Sequence, residues 1–190
     1  YGYLPDENFV TIDDPDVVFD AANVLRHNND LLYLVSESGN KQGAKWLQKQ
    51  FPDKKVHVLD NIYNGVHIDS TITMLNENTV ALNANRITAD KLPKLFHGYD
   101  IFWFTENHIE PTGFYKYPYA SKWMALNMFS IDRNTVVVDR DQHKIIQKLE
   151  KRNFTVIPQK LTHSRTLGGG FHCCTLDLWR EDDAWSTWDS

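Results

Sequence analysis

Residues 19–35 read FDAANVLRHNNDLLYLV, with an Asn-Asn-Asp triplet at positions 28–30 between two short runs. Asn and Asp tolerate the backbone geometry of tight hairpin turns. The run that follows the triplet, residues 31–35, is apolar throughout and favours a strand. This stretch therefore predicts two strands joined by a tight turn.

The unit continues through a helix into a third strand. Residues 41–51 place Ala44, Leu47 and Phe51 on one helical face, and residues 56–59 alternate as a strand does. Similar units recur at a period of about fifty residues. The predicted units of strand, turn, strand, helix and strand span residues 17–60, 66–105 and 119–160, with a partial unit at 166–181.

The later units repeat these elements. The second unit is predicted to contain a turn, a strand, a short helix and a closing strand, at residues 76–78, 80–82, about 92–96 and 101–104. The same elements of the third unit are expected at residues 132–134, 136–138, 142–151 and 156–157. In the partial unit, the glycine run at 168–170 is predicted to lead into one strand that ends at residue 179.

Polar residues recur at the start of the first strand of each unit. They are Asp20, His67, Asp69, Ser121, His172 and Cys173. Small units bury themselves against neighbours, either in a line or around an axis. A linear solenoid would spread these positions along a groove, whereas a ring would bring them together. Because Asp, His and Cys together are typical of a thiol active site, the pattern favours a ring of ββαβ units in the α/β class.

Composition limits the function classes. The 190 residues are 42% hydrophobic and carry a net charge of −5, which predicts a folded core and argues against nucleic-acid binding. Neither a membrane span nor a signal peptide is expected. Two adjacent cysteines cannot form the disulfide framework of a secreted protein, so we expect a cytoplasmic protein. The chain opens at Tyr1 rather than Met, which suggests a processed product, a recombinant segment or a fragment.

The glycine run and the two cysteines form the first candidate site. Three consecutive glycines let the backbone approach a ligand closely, although they also suit a flexible loop. If a strand follows them, Cys173 and Cys174 point to opposite faces, and only one can reach a site. The alternatives are two buried structural cysteines or a strained vicinal disulfide.

His67 and its neighbours form the second candidate site. Asp69, two residues further along a predicted strand, lies on the same face as His67, and Asp20 could orient the imidazole. A structural histidine is the simpler alternative. A Cys nucleophile, a His proton carrier and two carboxylates together favour covalent catalysis on a cationic carbon. Zinc-binding spacings and phosphate-binding glycine fingerprints are absent from the sequence, so we expect no metal and no organic cofactor.

Four stretches resemble the motifs of glycine amidinotransferases. They are residues 19–22, 67–71, 121–127 (Ser-Lys-Trp with Leu-Asn) and 167–173. That family moves the amidino group of arginine to glycine, giving ornithine and guanidinoacetate, and belongs with the arginine deiminases to the pentein superfamily. The resemblance runs from the first unit to Glu181, almost the entire chain, and implies a partial pentein α/β propeller, arranged around a pseudo-symmetry axis.

The resemblance also implies residue roles. Cys173 would be the nucleophile, His67 the general acid and base, and Asp20 the carboxylate that completes the catalytic set. The implied substrate contacts are Asp69 for the guanidinium, Arg86 for the substrate carboxylate, Ser121 as a hydrogen-bonding group and Asn64 on a nearby loop. Without the resemblance, Arg86 could be a surface residue and Ser121 a cap.

Some features depart from the family. Cys174 stands where the family usually has Trp, and Ala120 replaces a serine. The family ring has five units, so residues 1–190 read as one incomplete catalytic domain, which a second copy or a partner chain would complete. A deiminase-type hydrolase and a non-catalytic subunit are the competing interpretations.

Overall fold

The computed structural model describes residues 14–111 and 121–177. Within them, three successive units each form a three-stranded sheet. The strands are β1 (Val24–His27), β2 (Asp30–Leu34), β3 (Lys55–Leu59), β4 (Ile72–Asn76), β5 (Thr79–Asn83), β6 (Asp100–Phe104), β7 (Phe129–Ser130), β8 (Thr135–Asp139) and β9 (Thr155–Gln159). Helix α1 (Lys41–Gln50) precedes β3, and helix α2 (His143–Glu150) precedes β9.

Every sheet has the same topology. Its first two strands form an antiparallel hairpin, and its third strand pairs parallel with the second, so that Leu32 lies opposite His57 and Val137 opposite Ile157. Asn28 in the first turn has φ 50, a left-handed conformation that Asn adopts more readily than most residues. The predicted α/β class of ββαβ units is confirmed.

The second unit differs from the prediction. The short helix expected around residues 92–96 is instead a pair of 3-10 turns, Ala89–Lys91 and Lys94–Phe96. Pro93 lies between them, and Leu92 before it has the extended ψ of 123 that a following proline favours. The proline therefore interrupts the helix, although Phe96 remains fully buried.

The units bury their faces against each other. Alternate residues of β2 serve two clusters, with Leu31 and Tyr33 packed under α1 and Leu32 and Leu34 packed towards the second unit. A further cluster joins the second and third units, and its buried members include Phe102, Phe104, Val136, Val138, Ile145 and Leu149. Apolar contact between successive sheets therefore sets the position of each unit.

The segment after the glycine run is not a strand where the structure describes it. Residues His172–Cys174 form a 3-10 turn, and 175–177 belong to no strand. The N–H groups of Cys174 and Thr175 donate to the carbonyls of Phe171 and His172, as in a turn. The predicted opposite-facing strand positions of Cys173 and Cys174 are therefore wrong, and the last two residues of that strand, 178–179, lie outside the described residues.

No helix in the described part of the chain is both long enough and apolar enough to cross a membrane.

Candidate active site

The polar residues at the unit starts lie on short turns that precede the first strands. Asp20 caps the 3-10 turn Ala21–Asn23, with its carboxylate accepting a hydrogen bond from the Ala22 N–H at 2.9 Å. His67 and Asp69 also lie on a turn, where the N–H groups of Thr71 and Ile72 both donate to the Ile68 carbonyl. The predicted strand at His67 and Asp69 is therefore wrong, because β4 begins only at Ile72.

Cys173 and Asp69 are brought together although 104 positions separate them along the chain. The Cys173 Sγ donates to Asp69 Oδ2 at 3.1 Å, and His172 Nδ1 lies 3.1 Å from the same oxygen. Asp69 is buried, whereas Cys173 and His172 are exposed. The expected convergence of unit starts is therefore observed for these residues.

The immediate surroundings of Cys173 set its protonation. Partial desolvation, the Asp69 charge and the hydrogen bond to Asp69 raise the pKa of the Cys173 thiol to about 11. Burial favours a higher pKa for Asp69, but hydrogen bonds from His172 and Cys173 outweigh it and hold the pKa of Asp69 below its usual value. At neutral pH the free site therefore pairs a protonated thiol with a carboxylate.

His67 and Asp20 form a second pair. Nε2 of His67 lies 3.1 Å from Asp20 Oδ2, and both side chains are about a third exposed, at 41% and 31%. The His67 backbone has φ 64, and its N–H donates to Oδ1 of Asn23 at 3.1 Å. Asn23 is fully buried, so it fixes the left-handed backbone from which the imidazole projects.

Arg86 lies near Asp69, against the two residues that follow Asp69 in the sequence. Its guanidinium stacks 3.6 Å above the Tyr63 ring, and Nη1 donates to the hydroxyls of Ser70 and Thr71 at 2.8 and 2.7 Å. Burial lowers the pKa of Arg86, but an arginine stays cationic at neutral pH. A fixed cation close to the turn of Asp69 can hold an anionic group of a ligand.

Asn64 and Ser121, which the resemblance implies as substrate contacts, make no hydrogen bond to the reactive side chains in the described residues. The Asn64 carbonyl accepts a hydrogen bond from the Glu37 N–H at 3.2 Å, and the Ser121 hydroxyl caps the turn Lys122–Leu126 by accepting from Trp123. Across residues 14–111 and 121–177, neither side chain hydrogen-bonds to Cys173 or His67. The predicted substitution at Ala120 lies outside the described residues.

Sequence reasoning gave no role to two buried asparagines, Asn23 and Asn127, although Asn127 ends one of the motifs. Each occurs beside a motif residue, but only the structure gives it a partner, the His67 backbone for the first and Cys173 for the second. In the described ranges, no three His, Cys, Asp or Glu side chains are arranged to hold a metal ion.

Comparison with curated proteins gives several amidinotransferases as relatives. The chain is 44% identical over 169 residues to inosamine-phosphate amidinotransferase 1 of Streptomyces griseus, a match that covers 88% of this chain and 48% of the relative. It is 32% identical to an L-arginine:L-lysine amidinotransferase of Pseudomonas savastanoi pv. phaseolicola, over 85% of this chain and 44% of that one. A mitochondrial glycine amidinotransferase of Xenopus laevis is 30% identical, over 85% and 38%. The chain thus spans about half the length of the curated relatives it matches.

Solved structures agree. The inosamine-phosphate amidinotransferase of Streptomyces griseus superposes with a TM-score of 0.80 at 41% identity, over 96% of this chain and 52% of that one. The dimethylarginine dimethylaminohydrolase of Pseudomonas aeruginosa has a TM-score of 0.61 at 13% identity, over 83% and 55%, which is a likeness of fold alone. No protein-family model matches the chain.

Proposed function

We propose, from the premise that this chain belongs to the amidinotransferases of the pentein superfamily, that it supplies the thiol site of an enzyme that moves the amidino group of arginine to an amine. The observation that carries the proposal is the contact of Cys173 with Asp69, which lies two residues along the chain from His67, the partner of Asp20. A thiol, an imidazole and two carboxylates are the groups that covalent transfer from a guanidinium requires.

Substrate binding follows from the charges. The guanidinium of arginine is cationic, and Asp69 and Asp20 are carboxylates on turns at equivalent places in their units, so both can accept its N–H groups. Arg86 is the matching cation for the carboxylate at the other end of arginine. Both ends of the substrate then have a partner of opposite charge.

Binding also activates the thiol. Partial desolvation and, after it, the Asp69 charge keep the pKa of Cys173 high in the free protein, at about 11. A guanidinium on Asp69 neutralises that charge and places a positive one beside the sulfur, and both changes favour the thiolate. Cys173 is therefore mostly protonated until its substrate arrives, which slows the reaction of an exposed thiol with other electrophiles.

The chemistry proceeds in two balanced halves. The Cys173 sulfur bonds to the guanidinium carbon, the bond from that carbon to the ornithine nitrogen breaks, and the thiol proton reaches the leaving amine with His67 as its carrier. An acceptor amine then attacks the amidino-cysteine and loses a proton to His67. The carbon–sulfur bond breaks, and Cys173 regains its proton.

We propose a phosphorylated inosamine as the acceptor rather than glycine, which the sequence resemblance implies. Relatives named for inosamine phosphate are 44% identical to the chain, against 30% for the glycine enzyme. Glycine remains the second acceptor to test. We further propose that units beyond these three complete the ring, within the same polypeptide or from a second chain, because the chain spans about half of its relatives. The cytoplasmic location stays a prediction from sequence.

An acceptor assay tests this function. The purified protein is incubated with arginine and either an inosamine phosphate, glycine or lysine, and ornithine is measured. We expect ornithine to form with an amine acceptor, and its formation to be fastest with the inosamine phosphate. Cys174→Ser protein is the matched control, and its turnover should be unchanged. Citrulline and ammonia in place of ornithine would mean that water is the acceptor and the chain is a hydrolase.

A further inference from the structure

Asn127 directs its backbone carbonyl and its side-chain amide at the turn that carries Cys173, and the amide also helps to lower the pKa of Asp69. Its carbonyl accepts from the N–H groups of Phe171 and His172 at 2.9 and 3.4 Å, and its Oδ1 accepts from the Cys173 N–H at 3.0 Å. Its Nδ2 donates to the Cys173 Sγ at 3.3 Å. Asn127 is buried, so its amide is shielded from water.

Gly170 makes this approach geometrically feasible. A Cβ at that position would lie 2.5 Å from both Cβ and Oδ1 of Asn127, which is closer than real side chains come. The glycine backbone therefore packs directly on the asparagine. The glycine run thus serves close contact at this position, in addition to the left-handed turn at Gly168 with φ 86.

The backbone at Asn127 is held within the third unit, and the residue before it, Leu126, is tied to the second unit. The Asn127 N–H donates to the Met124 carbonyl at 3.1 Å. The hydroxyl of Thr73 lies 2.8 Å from the Leu126 carbonyl and 3.1 Å from the Asp69 carbonyl. The Asn127 amide and the Asp69 carboxylate therefore contact the sulfur from two backbone segments that the Thr73 hydroxyl links.

We propose that the side-chain N–H of Asn127 is a catalytic hydrogen-bond donor that stabilises the Cys173 thiolate, a role that rests on the proposed nucleophilic function of Cys173. A donor gains strength when its acceptor becomes charged, so the contact is worth more to the thiolate than to the thiol. Asp69 opposes ionisation in the free site, and Asn127 favours it. Consistent with this, the Asn127 contact lowers the pKa of Cys173 against the larger effects that raise it.

Alkylation of Cys173 by iodoacetamide gives the first test, in Cys174→Ser protein so that one thiol reports. Because the pKa is near 11, the rate rises with pH across the neutral and mildly alkaline range. Asn127→Ala removes a hydrogen bond to a charged group and is expected to raise the pKa by about one unit. The higher intrinsic nucleophilicity of a more basic thiolate offsets part of this, so the rate falls about threefold. Gln142→Ala, which removes another fully buried amide that hydrogen-bonds to the backbone of Glu110, is the matched control with an unchanged rate.

A direct titration separates stabilisation from positioning. In Asp69→Asn protein the pKa of Cys173 falls towards a range that folded protein tolerates, and thiolate absorbance there reports ionisation whatever the orientation of the sulfur. We expect Asn127→Ala to raise this pKa by about one unit. Slower alkylation with an unchanged titration would reduce Asn127 to a structural support and overturn the proposal. If Asn127→Ala does not fold, Asn127→Ser removes the amide donor without adding a charge, and an unchanged pKa there would contradict the proposal equally.

These outcomes are independent of the proposed function itself. If Asn127 variants leave the pKa of Cys173 unchanged, Cys173 is still the nucleophile as long as ornithine formation requires it. Conversely, ornithine formation that survives Cys173→Ser would refute the nucleophile assignment, whatever the titrations give.

Discussion

Asp69→Asn is expected to make the Cys173 thiol more reactive and the enzyme inactive. The carboxylate lies 3.1 Å from the sulfur, and its charge is a main reason for the raised pKa. Replacing it with a neutral amide lowers the pKa of Cys173 by about one to three units. Alkylation by iodoacetamide at neutral pH should therefore accelerate by about tenfold, since more of the thiol is ionised.

Amidino transfer should respond in the opposite direction. An amide cannot offer the charge that holds the guanidinium, and loss of one partner in a desolvated ion pair costs about 2–5 kcal/mol. We therefore expect kcat/KM for arginine to fall by a factor of about 100 or more. Asp30→Asn is the matched control, because Asp30 also pairs with an imidazole, that of His57 at 2.8 Å. Slower alkylation in Asp69→Asn would show that Asp69 does not suppress the thiol, and retained transfer would show that it does not hold the substrate.

Cys173→Ser is expected to abolish turnover, whereas Cys174→Ser should retain it. A serine hydroxyl is far less ionised than a thiol and is a poor nucleophile without a strong base, so the loss should be about a thousandfold or more. Cys174 lies on the same turn, but its sulfur contacts the Ser164 hydroxyl at 2.9 Å and not Asp69. Ornithine release is the measurement.

Covalent labelling by an electrophilic amidine checks the same pair of variants. Label should attach to Cys174→Ser protein and not to Cys173→Ser protein. Equal labelling of the two variants would contradict the assignment of the nucleophile.

Much of the fold could be predicted from sequence because its signals are local. The turn at Asn28 and the apolar run of β2 lie within one hairpin, and the structure places β2 at Asp30–Leu34. The failures come from competing interactions. Pro93 interrupts a helix whose apolar spacing was otherwise suitable, and the apolar segment after the glycines forms a turn because its backbone N–H groups bond to Asn127 instead of to a strand.

Some residues of the candidate site could likewise be predicted from sequence, and others could not. Charged and nucleophilic residues such as Asp69 and Cys173 could be expected to meet, because equivalent positions of a repeated unit converge. The roles of Asn23 and Asn127 could not, because an amide acquires its role from the partners that long-range packing brings to it, here the His67 backbone and the Cys173 sulfur. The high pKa of Cys173 likewise depends on contact with a carboxylate about a hundred residues away.

Mass analysis of the protein after incubation with arginine and no acceptor amine tests the covalent mechanism without relying on any variant. We expect one amidino group on Cys173, one ornithine released for each adduct, and loss of the adduct when an acceptor amine is added. Ornithine formed without any adduct on Cys173, or an adduct on Cys174 instead, would contradict the proposed mechanism.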